Sequence, residues 1–187
     1  MGIDRPVCQG MCRQAVAVLF LVLCLQVCSS GIVQAGETLS TRVRWVADGD
    51  TLFLQDGEKL RLKGVDAPEL GRDGRPDQYH ARQSRDDLAE LVEQRVLSLA
   101  LDGQKRDRYG RLLAWVYLPG GRLLQEVLLE LGLVFVYPHP GESLMHYDAL
   151  LKAQQRAMDA RRGFWGRILD LPVAEKDESQ DLCFVRD

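Results

Sequence analysis

The chain has 187 residues, enough for one domain with a sizeable core, and its 46% hydrophobic and 27% charged residues are typical of a globular protein. Its formal net charge is −3, from 24 basic and 27 acidic side chains. A protein with this charge does not hold a polyanion by bulk electrostatic attraction, so any binding of nucleic acid must depend on a local site.

The first 35 residues have the pattern of a secretory signal peptide. Arg5 and Arg13 precede an apolar run over 15–28, and small residues end the segment at 33–35 (VQA). A membrane anchor is the alternative, but it would need about 20 apolar residues, and this run is shorter. We expect cleavage and a secreted or periplasmic protein. Of the five cysteines only Cys183 would then remain, so no internal disulfide is expected.

Short strands and turns follow the predicted signal peptide. Residues 39–46 (LSTRVRWV) alternate between apolar and polar side chains, as a half-buried strand does, and after a turn (ADG) residues 51–55 are predicted to resume as a strand. Asp56-Gly57 is typical of a two-residue hairpin, so 59–65 should pair back antiparallel until Pro68 stops the sheet. A hairpin centred there would make residues 50 and 66 approximate cross-strand neighbours.

The second half of the chain adds three predicted helices and three predicted strands. Apolar spacing and Gly or Pro stops place the helices at 78–92, 123–131 and 143–161, and the strands at 96–101, 112–117 and 134–137. Such short strands favour a small closed sheet with helices added late over a doubly wound fold. The last residues, 173–187, form an acidic tail for which no chemistry is predicted.

Acids and an arginine are concentrated between residues 48 and 69 (DGDTLFLQDGEKLRLKGVDAPE). Asp48 and Asp50 flank a glycine in a turn, and Asp66 follows the returning strand; calcium favours several such oxygen ligands. Arg61 could pair with these acids or hold a phosphate with two nitrogens. Ordinary turn formation and a plain ion pair explain the same residues as well, so spacing alone leaves the choice open.

Three motifs in register resemble the staphylococcal nuclease-like, or thermonuclease, family. They are DGDT at 48–51, RLKGVDAPE at 61–69 and DRYGRLLAWVY at 107–117, and the resemblance extends from about Val43 to Trp165. It implies an α+β domain over 36–172: an OB-fold, five-stranded Greek-key β-barrel with about three α-helices. It also implies a calcium-dependent endonuclease that hydrolyses phosphodiester bonds of DNA and RNA to leave 3′-phosphate and 5′-hydroxyl ends.

The resemblance also assigns roles to individual residues. The Ca2+ ligands would be the carboxylates of Asp50 and Asp66 and the backbone carbonyl of Thr51, with Asp48 close behind them. The catalytic residues would be two phosphate-binding arginines and a general base: Arg61, Arg111 and Glu69. Contacts to the neighbouring phosphate or base would come from Arg108, Tyr109 and Tyr137.

The chain departs from the family pattern at two places. Phe135 stands where the best-known member has a tyrosine, and the loop after Glu69 offers only Arg72 and Arg75 in place of a lysine-rich sequence. We expect weaker substrate binding rather than loss of catalysis. Two alternatives are a non-catalytic OB-type nucleic-acid-binding module, which the complete set of acids and arginines disfavours, and a nuclease of narrower substrate range. We expect a monomer that prefers single strands and is free of the membrane once the signal is cleaved.

Overall fold

The computed structural model describes residues 37–137 and 145–170. All of these belong to one compact unit. The predicted signal peptide and the acidic tail with Cys183 lie outside the described residues. Within the described part of the chain, none of the helices has the length and apolar character needed to cross a membrane.

Seven strands form in the described residues. They are β1 (Glu37–Val46), β2 (Thr51–Leu54), β3 (Lys59–Leu62), β4 (Val65–Asp66), β5 (Val96–Leu101), β6 (Leu112–Tyr117) and β7 (Phe135–Val136). Five of them close into a barrel in the order β1-β2-β3-β6-β5, in which β3 and β6 are parallel and all other neighbours are antiparallel. The predicted OB-type, five-stranded barrel is therefore confirmed.

Four helices surround the barrel in the described residues, where the sequence predicted about three. They are α1 (Ala81–Val92), α2 (Leu124–Leu131), α3 (Tyr147–Asp159) and the additional single turn α4 (Trp165–Ile168). The additional turn forms because Gly132 and Gly163 let two backbones meet: the N–H of Phe164 donates to the carbonyl of Gly132 at 3.1 Å. The Phe164 ring is then buried with its edge toward Phe135, and this contact ties the helical C-terminal part to the barrel.

The hairpin after β2 differs from the prediction in its register. Thr51 pairs with Arg61, which places the hairpin centre at residue 56 and makes Leu62 the residue opposite Asp50; the N–H of Leu62 donates to the Asp50 carbonyl at 2.9 Å. The predicted strand 59–65 is broken by Gly64 at φ 71°, and β4 leaves the barrel to pair with β7. The expectation that residues 50 and 66 are cross-strand neighbours was wrong.

Along β2 and β3, successive side chains point alternately into the barrel and away from it. Leu52, Leu54, Leu60 and Leu62 point into the barrel core, with exposures of 2% or less. The intervening residues of β2 and β3 therefore share the outer face of the barrel. This outer set consists of Thr51, Phe53, Lys59 and Arg61, and it includes two of the residues to which the resemblance assigned a function.

Candidate active site

Arg61 joins the two predicted carboxylate ligands although their strands do not pair. Its Nη1 lies 3.3 Å from Oδ2 of Asp50, and its Nη2 donates to Oδ1 of Asp66 at 2.5 Å. Nη1 also donates to the carbonyl oxygens of Leu62 at 2.9 Å and Val65 at 2.7 Å, along the turn that separates β3 from β4. The Arg61 side chain is 4% exposed. Arg61 therefore brings Asp50 and Asp66 to one point.

The Asp50 carboxylate is held ionised by its surroundings. The Thr51 hydroxyl donates to its Oδ1 at 2.9 Å, and the N–H of Ala67 donates to its Oδ2 at 3.0 Å. Burial alone would raise the pKa of Asp50, but the charge of Arg61 and these hydrogen bonds together lower it below the ordinary value of 3.8. Asp50 thus carries a negative charge at the end of the barrel where β2 begins and β3 ends. We call this end of the barrel the rim.

Gly49 allows the turn that carries Asp48 and Asp50 to sit directly beneath α1. A Cβ atom added to Gly49 would lie 2.6 Å from the Cβ of Ala67 and 3.0 Å from the Cβ of Ser84. Both distances are shorter than normal van der Waals contact, so a side chain at residue 49 would push the turn away from the helix. The close approach therefore fixes where both aspartates stand.

When ionised, the carboxylates of Asp48, Asp50 and Asp66 carry more negative charge than Arg61 neutralises. Burial, followed by the charge of Asp50, raises the pKa of Asp66 to about 8, and the same two causes raise the pKa of Asp48 to about 7. Arg72 is the other cation near Asp48, but its Nη2 is 3.9 Å from Oδ2 and its side chain is 70% exposed. A further cation would relieve this repulsion, and carboxylates on a rim are suitable ligands for one.

The donor set suits a hard divalent cation such as calcium. Asp50 and Asp66 offer carboxylate oxygens, and the carbonyl of Thr51, which accepts one hydrogen bond from the N–H of Ala47 at 2.9 Å, has a second lone pair. Across residues 37–137 and 145–170, no three side chains of His, Cys, Asp or Glu could hold a metal ion by themselves. Carbonyl and water oxygens would complete the shell, as calcium commonly accepts.

Arg111 reaches the same rim from the loop before β6. Its Nε donates to Oδ2 of Asp107 at 2.6 Å, and its Nη1 lies 3.4 Å from the Thr51 hydroxyl. Oδ1 of Asp107 accepts from the N–H groups of Tyr109 and Arg111, both at 2.9 Å, and Gly110 takes φ 78° to close the turn. Sequence reasoning gave Asp107 no role, although an aspartate two and four residues before these N–H groups is typical of such turns.

Glu69 is fixed through its backbone by a residue that the sequence reasoning did not single out. The N–H of Glu69 donates to Oε1 of Gln78 at 2.6 Å, and the N–H of Gln78 donates back to the Glu69 carbonyl at 2.9 Å. The charge of Glu69 adds a smaller increase to the raised pKa of Asp66, after burial and Asp50. Glu69 therefore acts on the same cluster. A glutamine nine residues away carries no sequence signal for this contact.

The three predicted substrate-contacting residues are divided between two places. Tyr109 is 67% exposed at the tip of the loop, with the guanidinium carbons of Arg108 and Arg111 at 5.0 and 5.4 Å from its ring centroid. Tyr137 follows β7, where its N–H donates to the carbonyl of Gly64 at 3.0 Å. The residues that do come together on the rim are Asp50, Thr51, Arg61, Asp66, Glu69 and Arg111.

Comparison with known proteins agrees with this arrangement. Residues 59–167, more than half of the chain, match the family described as staphylococcal nuclease homologues. A thermonuclease of Staphylococcus hyicus is 32% identical over 143 residues, which cover 73% of this chain and 81% of the relative. A thermonuclease of Staphylococcus intermedius is 35% identical over 130 residues, covering 67% and 75%.

A further relative is an endonuclease from another bacterial species. An endonuclease of Escherichia coli O157:H7, described as uncharacterized, is 33% identical over 134 residues, which cover 70% of this chain and 80% of the relative. The span matched by the family begins at β3 and includes Asp66, the loop before β6 and the helices α1, α2 and α3. The fold, the rim cluster and these relatives together establish that the chain belongs to the staphylococcal nuclease family.

Proposed function

We propose that the protein is a calcium-dependent endonuclease that hydrolyses phosphodiester bonds of DNA and RNA and leaves 3′-phosphate and 5′-hydroxyl ends. The observation that carries the proposal is the meeting of Arg61, Asp50 and Asp66 on a rim that Arg111 also reaches. Two arginines can bind a phosphate, and carboxylates whose negative charge is not fully neutralised can bind a divalent cation. A phosphodiester substrate that binds together with a cation requires both.

Each residue of the rim has a separate task in this reaction. Calcium, when bound by Asp50, Asp66 and the Thr51 carbonyl, would polarise the phosphoryl oxygen and neutralise its charge. Arg61 and Arg111 hold the phosphate and stabilise the charge that builds on its oxygens as water attacks in line. Glu69 accepts a proton from the attacking water. The 5′ oxygen leaves and takes up a proton, so the phosphate stays on the 3′ side.

The proposed substrate range follows from what these residues would touch. Arg61, Arg111 and the metal ligands address the phosphate, which DNA and RNA share, and not the 2′-hydroxyl or the base edges that distinguish them. The exposed ring of Tyr109 offers a flat face to an unstacked base, which favours single strands. We further propose that the protein acts as a monomer, outside the cytoplasm, after removal of residues 1–35.

A digestion assay tests the proposal directly. Purified protein would be incubated with single-stranded DNA, duplex DNA and RNA, in calcium or in excess chelator, and the ends of the products would be analysed. We expect degradation of DNA and RNA in calcium, arrest by chelator, and 3′-phosphate ends. Intact substrates in calcium would contradict the enzyme and, with retained binding, support a non-catalytic module. Cleavage of one substrate alone would indicate a narrower nuclease.

A further inference from the structure

An aromatic pair, with one ring exposed and the other half-buried, lies on the outer face of the barrel next to the candidate active site. Trp45 of β1 and Phe53 of β2 are cross-strand partners whose ring centroids are 4.0 Å apart, with 11° between the ring planes. Trp45 is 42% exposed. On the other side of Phe53, its partner Lys59 of β3 places Nζ 4.9 Å from the ring centroid. We name this row, Trp45, Phe53 and Lys59, the aromatic platform.

The aromatic platform is continuous with the proposed active site. Thr51 and Phe53 lie on the same side of β2, and their partners Arg61 and Lys59 lie on the same side of β3. Alternate residues on a strand are about 7 Å apart. The platform therefore begins one residue pair away from the two residues that hold the Asp50 carboxylate, on a face that the barrel core leaves to the outside.

We infer that the aromatic platform binds the base of a single-stranded nucleotide next to the phosphate held by Arg61. The inference rests on the proposed nuclease function and names a subsite for its substrate. A flat aromatic face beside a cation is the arrangement by which single-stranded nucleic acids are bound without sequence preference, since every base has a π-face and every nucleotide has a phosphate. Bases in a duplex are already stacked, so the platform favours single strands.

Local charge supports a polyanionic ligand at this place. Lys59 is exposed at one end of the row, and Arg44, the residue before Trp45 in the sequence, is also exposed. The nearby acids are engaged: Glu58 accepts from Nη1 of Arg106 at 2.7 Å, and Glu93 accepts from the N–H of Val46 at 3.0 Å. A chain with a net charge of −3 thus presents one exposed cation, Lys59, against its aromatic pair and another, Arg44, at the residue before Trp45.

Cross-strand aromatic pairs also stabilise sheets, so the experiment must separate binding from stability. Trp45→Leu keeps an apolar residue on the strand but removes the aromatic face, and Trp45→Phe keeps a face for stacking. We expect Trp45→Leu to raise KM for single-stranded DNA about tenfold, with the effect on KM rather than on kcat, and Trp45→Phe to restore KM to within about twofold of the wild type. Thermal denaturation of each variant would confirm that it is folded.

Leu151→Ala provides the matched control. Leu151 is 40% exposed, close to the 42% of Trp45, but it lies on α3 and outside the rim and the platform. We expect this variant to leave KM unchanged. An equal KM in wild type and folded Trp45→Leu would overturn the inference, because a purely structural pair affects stability without affecting the binding of substrate.

A second measurement does not depend on cleavage. The chain has three tryptophans, and Trp115 is 1% exposed, so an added oligonucleotide that stacks on the platform should quench the emission of Trp45. In excess chelator, a single-stranded deoxyoligonucleotide should quench wild-type emission, while an abasic strand of the same length should quench it much less. The Trp45→Phe variant identifies the contribution of Trp45. Equal quenching by both strands, or none, would contradict base stacking.

The two proposals fail in distinguishable ways. Absence of cleavage by the wild type, with base-dependent quenching retained, would contradict the proposed nuclease function and leave the platform as a binding site. Calcium-dependent cleavage with an unchanged KM in Trp45→Leu and no base-dependent quenching would retain the nuclease and overturn the subsite. A platform covered by another segment of this chain would also give no quenching, and that result counts against the inference.

Discussion

Arg111 and Thr51 are separated by 60 positions in the sequence, yet Nη1 of Arg111 lies 3.4 Å from the Thr51 hydroxyl. The same hydroxyl donates to Asp50 at 2.9 Å, and Arg111 is itself oriented by Asp107 at 2.6 Å. A row of polar contacts therefore runs from the loop before β6 to the turn before β2. Neither motif forms this arrangement alone, because Arg111 of one motif contacts Thr51 of the other, whose hydroxyl in turn holds the Asp50 carboxylate.

Replacing Arg111 should remove catalysis with little cost to the fold. Its side chain is 25% exposed and its main partner, Asp107, can be solvated after the change. We expect Arg111→Ala to lower kcat on single-stranded DNA in calcium by about 10²–10³, the usual effect of deleting one preorganised charge partner. Steady-state kinetics and a thermal melt would check both parts.

Two further variants test whether the effect is specific to Arg111 and to its orientation. Arg122→Ala removes an arginine of the same charge that is 63% exposed and paired with Glu130, away from the rim, and it should leave kcat unchanged. Asp107→Ala keeps the Arg111 guanidinium but removes the carboxylate that orients it, so a smaller loss of about tenfold is expected. A kcat for Arg111→Ala equal to that of the wild type would rule out its role at the phosphate.

The strands and turns of the barrel could be predicted from the sequence because their signals are local, whereas the five-stranded OB-type barrel was implied by the family resemblance. Asp56-Gly57 between two predicted strands correctly predicted the hairpin, and Gly132 after an apolar helix correctly predicted the end of α2 at φ 69°. The runs at 96–101 and 112–117 were also predicted to be short strands, and both form, with alternate burial in the first and nearly continuous burial in the second. Each of these features depends on neighbours within a few residues, where turn chemistry and periodicity decide the conformation.

Asp50 and Asp66 were expected to lie close together, but the geometry assumed for their meeting was wrong. Counting outward from the hairpin placed Asp66 opposite Asp50, whereas Gly64 turns the chain out of the barrel and Arg61 makes the connection instead. The support that Gln78 gives Glu69 was also missed. Such contacts depend on tertiary packing, and a single sequence without a structural resemblance holds no periodic or turn signal for them.

Arg61 contributes to stability as well as to the proposed chemistry, unlike Arg111. The side chains of Arg61 and Asp50 are 4% and 8% exposed, so loss of the arginine leaves a buried carboxylate without its main counter-charge. We expect Arg61→Ala to lower the free energy of unfolding by about 3–5 kcal/mol, as measured by urea denaturation without calcium. A loss of activity in this variant would therefore combine unfolding with loss of phosphate binding.

A double variant tests whether this destabilisation comes from the Asp50 carboxylate that is left without its counter-charge. In Arg61→Ala with Asp50→Ala, the more deeply buried of the two carboxylates that contact Arg61 is removed as well, so the double variant should be less destabilised than the sum of the two single changes, by about 0.5–3 kcal/mol. Additive effects would indicate that Arg61 stabilises the protein through its hydrogen bonds to the Leu62 and Val65 carbonyls rather than through Asp50.

Gly49→Ala should disturb the rim through packing alone. The added methyl group would lie 2.6 Å from the Cβ of Ala67, and we expect a loss of about 1–3 kcal/mol in stability together with reduced kcat, because the turn carrying Asp48 and Asp50 must shift. Adding Ala67→Gly removes the closest contact while keeping the N–H that donates to Asp50, so the pair should recover part of both losses. No recovery would show that the turn is not limited by this contact.

His146 gives the folded protein a dependence on pH near neutrality. Its Nε2 lies 3.1 Å from the hydroxyl of Tyr117, and its ring meets Trp115 edge-on at 4.8 Å. Burial lowers the pKa of His146 below its ordinary value of 6.5, and the charges of Asp102 and Glu126 oppose this only in part. The folded state therefore favours the neutral imidazole, whereas the unfolded chain takes up a proton more readily.

Stability should accordingly fall as the pH falls through 6.5, since the unfolded state binds more protons there, and the loss should level off below the lowered pKa of the folded state. We expect urea denaturation at about pH 7.5 and about pH 5.5 to show a larger loss for the wild type than for His146→Gln. The raised pKa values of Asp48 and Asp66 act in the opposite direction, favouring stability at low pH, but they are common to both proteins and cancel in the comparison. The same loss in both proteins would show that His146 is as readily protonated in the folded state as in the unfolded chain.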